Sequence, residues 1–115
     1  MDTTPLEQQH CVPCEGGIPP MMRDEAIKLA AEVNQWELAP DAKSISREFT
    51  LKDFKEALAF VNRVGEIAES EGHHPDIHWW WNKVKFELST HAVKGLSNND
   101  FILASKINRL FESLS

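Results

Sequence analysis

An α+β domain, a four-stranded antiparallel sheet with three helices packed on one face, is the fold this sequence predicts. Three stretches carry apolar residues at three-to-four spacing, the period of a helix with one buried side. Between them lie runs in which apolar and polar residues alternate, the period of a half-buried strand. Those runs come in pairs between helices, which favours antiparallel pairing with the helices laid over the sheet. The resulting order is helix, strand, strand, helix, strand, strand, helix. A strand-strand-helix unit spans 36–71 and again 79–114, a hint of pseudo-symmetry without a sequence repeat.

The chain has 115 residues, 42% hydrophobic and 26% charged, the size and profile of one globular domain. A core can form at this length without disulfides or metals. The formal net charge is −6 and the basic residues are scattered, which argues against nucleic acid or anionic lipid as a direct partner. No stretch of 18 apolar residues is present, so no membrane span is expected. The opening MDTTPLEQQH lacks a cationic region followed by an apolar one, so a cytoplasmic location is expected.

Residues 1–21 are polar and rich in Pro and Gly, an arm ahead of a single domain at 22–115. From Met22 the helical pattern runs through Ala26, Ile27, Ala30, Ala31 and Val33, stopping near Asn34. Trp36-Glu37-Leu38 alternates as a short strand. After a turn at Asp41 to Lys43, Ser44 to Phe49 forms a second strand with Ile45 and Phe49 inward. Thr50 with Asp53 three residues on predicts an N-cap. The long helix that follows carries a stripe of Phe54, Leu58, Val61, Val64 and Ala68, with Phe60 and Ile67 as a second stripe to one side. Gly72 ends it and Pro75 forbids its resumption. Trp79 to Trp81 and Val84 to Thr90 form a hairpin about Asn82-Lys83, where an Asn tolerates positive φ. Ser97 with Asp100 caps a last helix bearing Phe101, Ala104, Ile107, Phe111 and Leu114.

The chemistry-bearing stretch is EGHHPDIHWWWNKV, Glu71 to Val84. His73 and His74 fall between a helix end and a proline, on a loop held by rigid elements. His91 follows a strand, at the rim of the sheet. Imidazole titrates near neutral pH, so two or three around one pocket can both give and take a proton without a cofactor. A metal site needs three convergent ligands, and Pro75 spoils the helix that would pair His74 with His78. Cys11 and Cys14 make a lone CxxC, half of a structural zinc site, and the GGIPP that follows is loop chemistry rather than the helix start of a redox motif. His10 and His78 read as surface residues. At least one face of the tryptophan run is left for solvent, ligand or partner.

The pattern Glu69, Ser70-Glu71-Gly72, His73-His74-Pro75, Trp81, His91, Asp100 resembles that of the pterin-4a-carbinolamine dehydratases. WNKV, LSTH, GLSNND, Trp36 and FTLKDFKEALAFVNRV are also similar, over residues 22–115, and CVPCEGGIPPM looks like an arm seen in part of the family. The resemblance implies the same four-stranded α+β fold. It implies loss of water from 4a-hydroxytetrahydropterin, giving quinonoid dihydropterin, in tetrahydrobiopterin recycling, with neither metal nor organic cofactor. His73, His74 and His91 would line the site, with His73 and His91 moving protons and His74 mainly binding. Glu69 would hold a histidine or the pterin, Ser89 and Thr90 would offer backbone groups to its amide edge, Trp36 would border the pocket, and Asp100 joins this substrate-binding set. Animal members have an acid where this chain has Gly72, so His73 would lack a carboxylate unless Glu69 or Glu71 supplies one, and the pH optimum would sit lower.

The resemblance also implies a homodimer or homotetramer, and two competing roles: a coactivator-like interaction protein using the exposed face of the long helix, or a pterin-binding protein of molybdopterin metabolism. The second stripe, Phe60 and Ile67, is the feature expected to discriminate the interaction role.

Overall fold

The computed structural model describes residues 4–13 and 18–114. Its helices are α1 (Arg23–Ala30), α2 (Phe54–Glu71) and α3 (Asn98–Glu112), and its strands are β1 (Glu37–Leu38), β2 (Ile45–Thr50), β3 (Asp76–Trp80) and β4 (Lys83–Leu88). The predicted element order and the antiparallel sheet are borne out. In space the strands run β1-β2-β4-β3, so each hairpin places its second strand at the centre. That order maps onto itself when the two strand-strand-helix units are exchanged, which is the pseudo-symmetry read from the sequence.

The central ladder pairs Ile45 with Leu88, Arg47 with Phe86 and Phe49 with Val84, and β3 adds Ile77 opposite Phe86 and Trp79 opposite Val84. Paired residues share a face, so one side of the sheet is apolar while Ser46, Glu48, Lys85 and Glu87 occupy the other. On the apolar side Phe49 meets Trp36, Phe60, Phe86 and Phe111 edge-on at ring separations of 4.9–6.3 Å, the arrangement favoured by aromatic quadrupoles.

Several local expectations change. Asp53, not Thr50, caps α2, accepting from the Glu56 N–H at 2.8 Å, because Thr50 is still paired to Lys83 in the sheet. The core face of α2 is Ala57, Phe60, Val64 and Ala68, while Phe54 and Leu58 are 47% and 41% exposed. The small Ala57 lets the helix approach the sheet, and Phe60 fills the space beside it. Phe60 therefore belongs to this chain's own core and cannot be the free stripe of an interaction surface. The hairpin turns at Trp81-Asn82, one residue early, and Trp81 takes φ +48°. Asn82 is held back by Leu51, whose N–H donates to its carbonyl at 2.8 Å while its side chain returns a bond at 2.9 Å. The turn strain falls on the tryptophan instead.

The arm is docked. Its 3₁₀ turn, Leu6–Gln8, lies along α3, where Lys106 Nζ donates to the Glu7 carbonyl at 2.9 Å. Further on, the Met21 N–H donates to the Leu96 carbonyl at 2.9 Å. Gly95 makes room for this crossing: a Cβ there would lie 2.6 Å from the Cβ of Pro20.

Candidate active site

Gly72 positions the two adjacent histidines. It sits in the left-handed region at φ +67°, and the His73 N–H bonds back to the Ala68 carbonyl at 3.2 Å, so the chain reverses as it leaves α2. His73 is turned inward, with 12% of its side chain exposed, and His74 outward, with 60% exposed.

The inward histidine meets a buried carboxylate. His73 Nε2 lies 2.6 Å from Asp100 Oδ1. The carboxylate is fully buried and is held by what surrounds it. Asp100 is the N3 residue of α3 and forms a capping box with Ser97, whose N–H donates to Oδ2 at 3.0 Å. The Thr90 hydroxyl donates to the same oxygen at 2.8 Å and lies 2.7 Å from the Ser97 hydroxyl. Among the described residues no buried polar side-chain atom lacks a partner. One carboxylate thus caps a helix, ties it to the end of β4 and orients an imidazole. Because a carboxylate only accepts, a neutral His73 carries its proton on Nε2 and leaves Nδ1 as the acceptor.

His73, His74, Ser89, Thr90 and His91 line one cleft of about 260 Å³, together with Gly72. His91 opens a short 3₁₀ turn, His91–Val93, and is exposed. Among the described residues no three His, Cys, Asp or Glu side chains converge as a metal's ligands would. Cys14 lies outside the described residues, and Cys11 sits in the arm near Asn99.

Three site expectations change. The carboxylate on His73 is Asp100, so neither Glu69 nor Glu71 has to supply one, and the reason for a lowered pH optimum is gone. Glu69, 83% exposed, keeps its expected place beside a histidine, 3.7 Å from His74. The Thr90 N–H is bonded to the Gly95 carbonyl at 2.7 Å and is not available to a ligand. Trp36 is buried away from the cleft, its indole donating to Asn108 Oδ1 at 2.8 Å. Arg47 donates to that same oxygen at 2.6 Å and stacks 4.3 Å above Phe49. Burial lowers the guanidinium pKa while Glu112 partly restores it. Trp36, Arg47 and Asn108 together plug the other end of the core.

Sequence reading missed the pairing of Asp100 with His73 and the contribution of the arm, because both join residues far apart in the chain. The capping-box spacing did locate Asp100 at a helix start, and the histidine junction located its partner.

Comparison with known proteins adds an independent line. The family described as pterin 4 alpha carbinolamine dehydratase matches residues 19–110. A protein of Methylococcus capsulatus, provisionally named as such an enzyme, is 46% identical over 110 residues, 96% of either chain. One of Rubrobacter xylanophilus, named likewise, is 44% identical over 105 residues, 91% of this chain and 97% of its own. The crystal structure of a transcriptional coactivator/pterin dehydratase from Brucella melitensis matches with TM-score 0.76 at 27% identity, covering 79% of this chain and 97% of that one.

Proposed function

Because this chain belongs to the pterin-4a-carbinolamine dehydratase family, we propose that it is a hydro-lyase that removes water from 4a-hydroxytetrahydropterin in tetrahydrobiopterin recycling. The observation that carries this reading is the His73–Asp100 pair, a buried carboxylate behind an imidazole that lines a cleft shared with His74 and His91.

The reaction breaks the C4a–O bond, forms the C4a=N5 double bond and releases the N5 proton. His73 is the base: its Nδ1 takes the N5 proton, and Asp100 stabilises the imidazolium that results. His91, in its protonated form, gives a proton to the departing hydroxyl, so water leaves. The two histidines end with their protonation states exchanged, and solvent resets them at the open cleft. His74 and Ser89 bind the pterin. Each positioned acid or base contributes on the order of 10²–10⁴-fold. The chain works as a homodimer or homotetramer, and its exposed Phe54, Leu58 and Trp80 are the apolar surface such an assembly would cover.

The test is dehydration of 4a-hydroxytetrahydropterin by the purified protein, beside the double variant His73→Ala, His91→Ala, with and without a chelator. Acceleration that survives the chelator and is lost in the variant is the expected result. A wild-type protein that binds pterin without accelerating dehydration would leave the pterin-binding role instead.

A further inference from the structure

We propose that the N-terminal arm is part of the substrate site: Val12 and Pro13 form an apolar wall of the histidine cleft, and Asn99 and Glu71 are positioning residues that hold the wall in place. This rests on the pterin reading above and goes beyond the family match, which begins only at residue 19.

Both residues line the same cleft as His73, His74 and His91. Their position is set by bonds to the residues that flank the catalytic pair in sequence. Asn99, next to Asp100, grips Val12 at both backbone groups: Oδ1 accepts its N–H at 3.0 Å and Nδ2 donates to its carbonyl at 2.6 Å. The side chain thereby imitates a neighbouring strand. Glu71, two residues before His73, accepts the Cys11 N–H at 2.7 Å through Oε1 and meets His10 Nδ1 at 2.9 Å through Oε2. Lys106 stands 3.7 Å from the same carboxylate.

Two features separate this from ordinary tethering. A carboxylate on the last residue of a helix opposes the helix dipole, so α2 gains nothing from Glu71 at that place. The side chain is nevertheless mostly buried and committed to the arm. And the residue so firmly held, Val12, is 65% exposed, so its side chain adds little to the core. What the bonds fix is a hydrocarbon surface at the mouth of the site. A flat pterin needs such a surface beside its polar anchors, both to cover its ring and to keep water from the reacting carbon.

The test uses the full chain with Val12→Ala, Asn99→Ala, their combination and Val12→Trp. Dehydration kinetics are measured, together with calorimetric binding of 7,8-dihydrobiopterin. Each alanine variant should raise KM and Kd about 3–10-fold, with kcat within about twofold. The double variant should be little worse than Asn99→Ala alone, because both act through one wall. Val12→Trp should block the cleft, cutting kcat/KM by more than about tenfold at an unchanged Tm. KM and Kd at wild-type values in all four variants overturn the wall, as does a fall confined to kcat. A wild-type chain that neither turns over nor binds the dihydropterin refutes the pterin reading itself, and the wall with it.

Discussion

His73 and His74 are neighbours in the chain and each stands beside a carboxylate, yet the two pairs are physically different. His73 and Asp100 lie 2.6 Å apart with almost none of either side chain open to water, whereas His74 and Glu69 are 3.7 Å apart and both largely exposed. In water a histidine–carboxylate contact is screened and its side chains keep their rotamer freedom, so it contributes little. Out of water the same contact fixes a tautomer and a ring orientation, and breaking it strands a buried group. Burial, not proximity, turns a histidine and a carboxylate into a working pair. The backbone made the distinction: Gly72 sends one side chain under the start of α3 and the next into solvent.

The widest gap between the pairs should appear on removing the buried charge. Asp100→Asn keeps the shape but not the anion, and kcat for dehydration should fall about 10²–10⁴-fold. A fall of less than about threefold in single-turnover kinetics would sink the base assignment for His73. Gly72→Ala should come next, since it disturbs the reversal that sorts the two histidines. A non-glycine residue in the left-handed region costs about 1 kcal/mol, and no neighbour lies within 4 Å of the new methyl to add a clash. Chemical denaturation reads that cost, and an unchanged midpoint would mean the reversal does not depend on glycine.

Glu71 supplies an intermediate case, a mostly buried carboxylate that holds the arm rather than a catalytic ring. Burial alone pushes its pKa up, but the Cys11 N–H, His10 and Lys106 outweigh this and the net shift is downward. A lowered folded-state pKa stabilises the fold above the unfolded carboxylate's pKa, and that contribution is lost as pH falls through the folded value. Glu71→Gln should therefore lower Tm at neutral pH, with the difference from wild type shrinking in acid below the carboxylate range. A Tm difference that is constant with pH would show that the carboxylate's charge does not hold the arm. The smallest effect belongs to the solvated pair: Glu69→Gln should leave kcat within about twofold, a surface contact being worth little. A loss as large as that of Asp100→Asn would erase the distinction between the two pairs.

Much of this was legible because local patterns report local structure. The alternation in Val84 to Leu88 named a strand buried on one side, and Val84, Phe86 and Leu88 are buried. Gly72 marked a helix end, and Ser97 with Asp100 marked a helix start. The stripe on α2 held at Val64 and Ala68 but failed at Phe54 and Leu58, because periodicity weighs bulky side chains, while the helix seats itself where a small one, Ala57, permits close approach. The candidate site was legible as three histidines at the edges of regular elements. Its carboxylate was legible only in part: Asp100 stood in the set by resemblance and at a helix start by spacing, but no local pattern tied it to His73.

By itself, then, the sequence determined the order of helices and strands, the end of α2 at Gly72, the start of α3 at Ser97, the acidic balance and the cluster of imidazoles, because each depends on local residues and composition. Only the tertiary structure decided that β2 and β4 meet at the centre, that Trp81 bears the hairpin's positive φ because Leu51 claims Asn82, and that Trp36 closes the far end of the core. It alone brought Asp100 to His73 across 27 residues and Val12 to Asn99 across 87. Such contacts depend on which buried faces fit together and which polar groups must find partners once water is gone, and no local pattern in a chain carries that information.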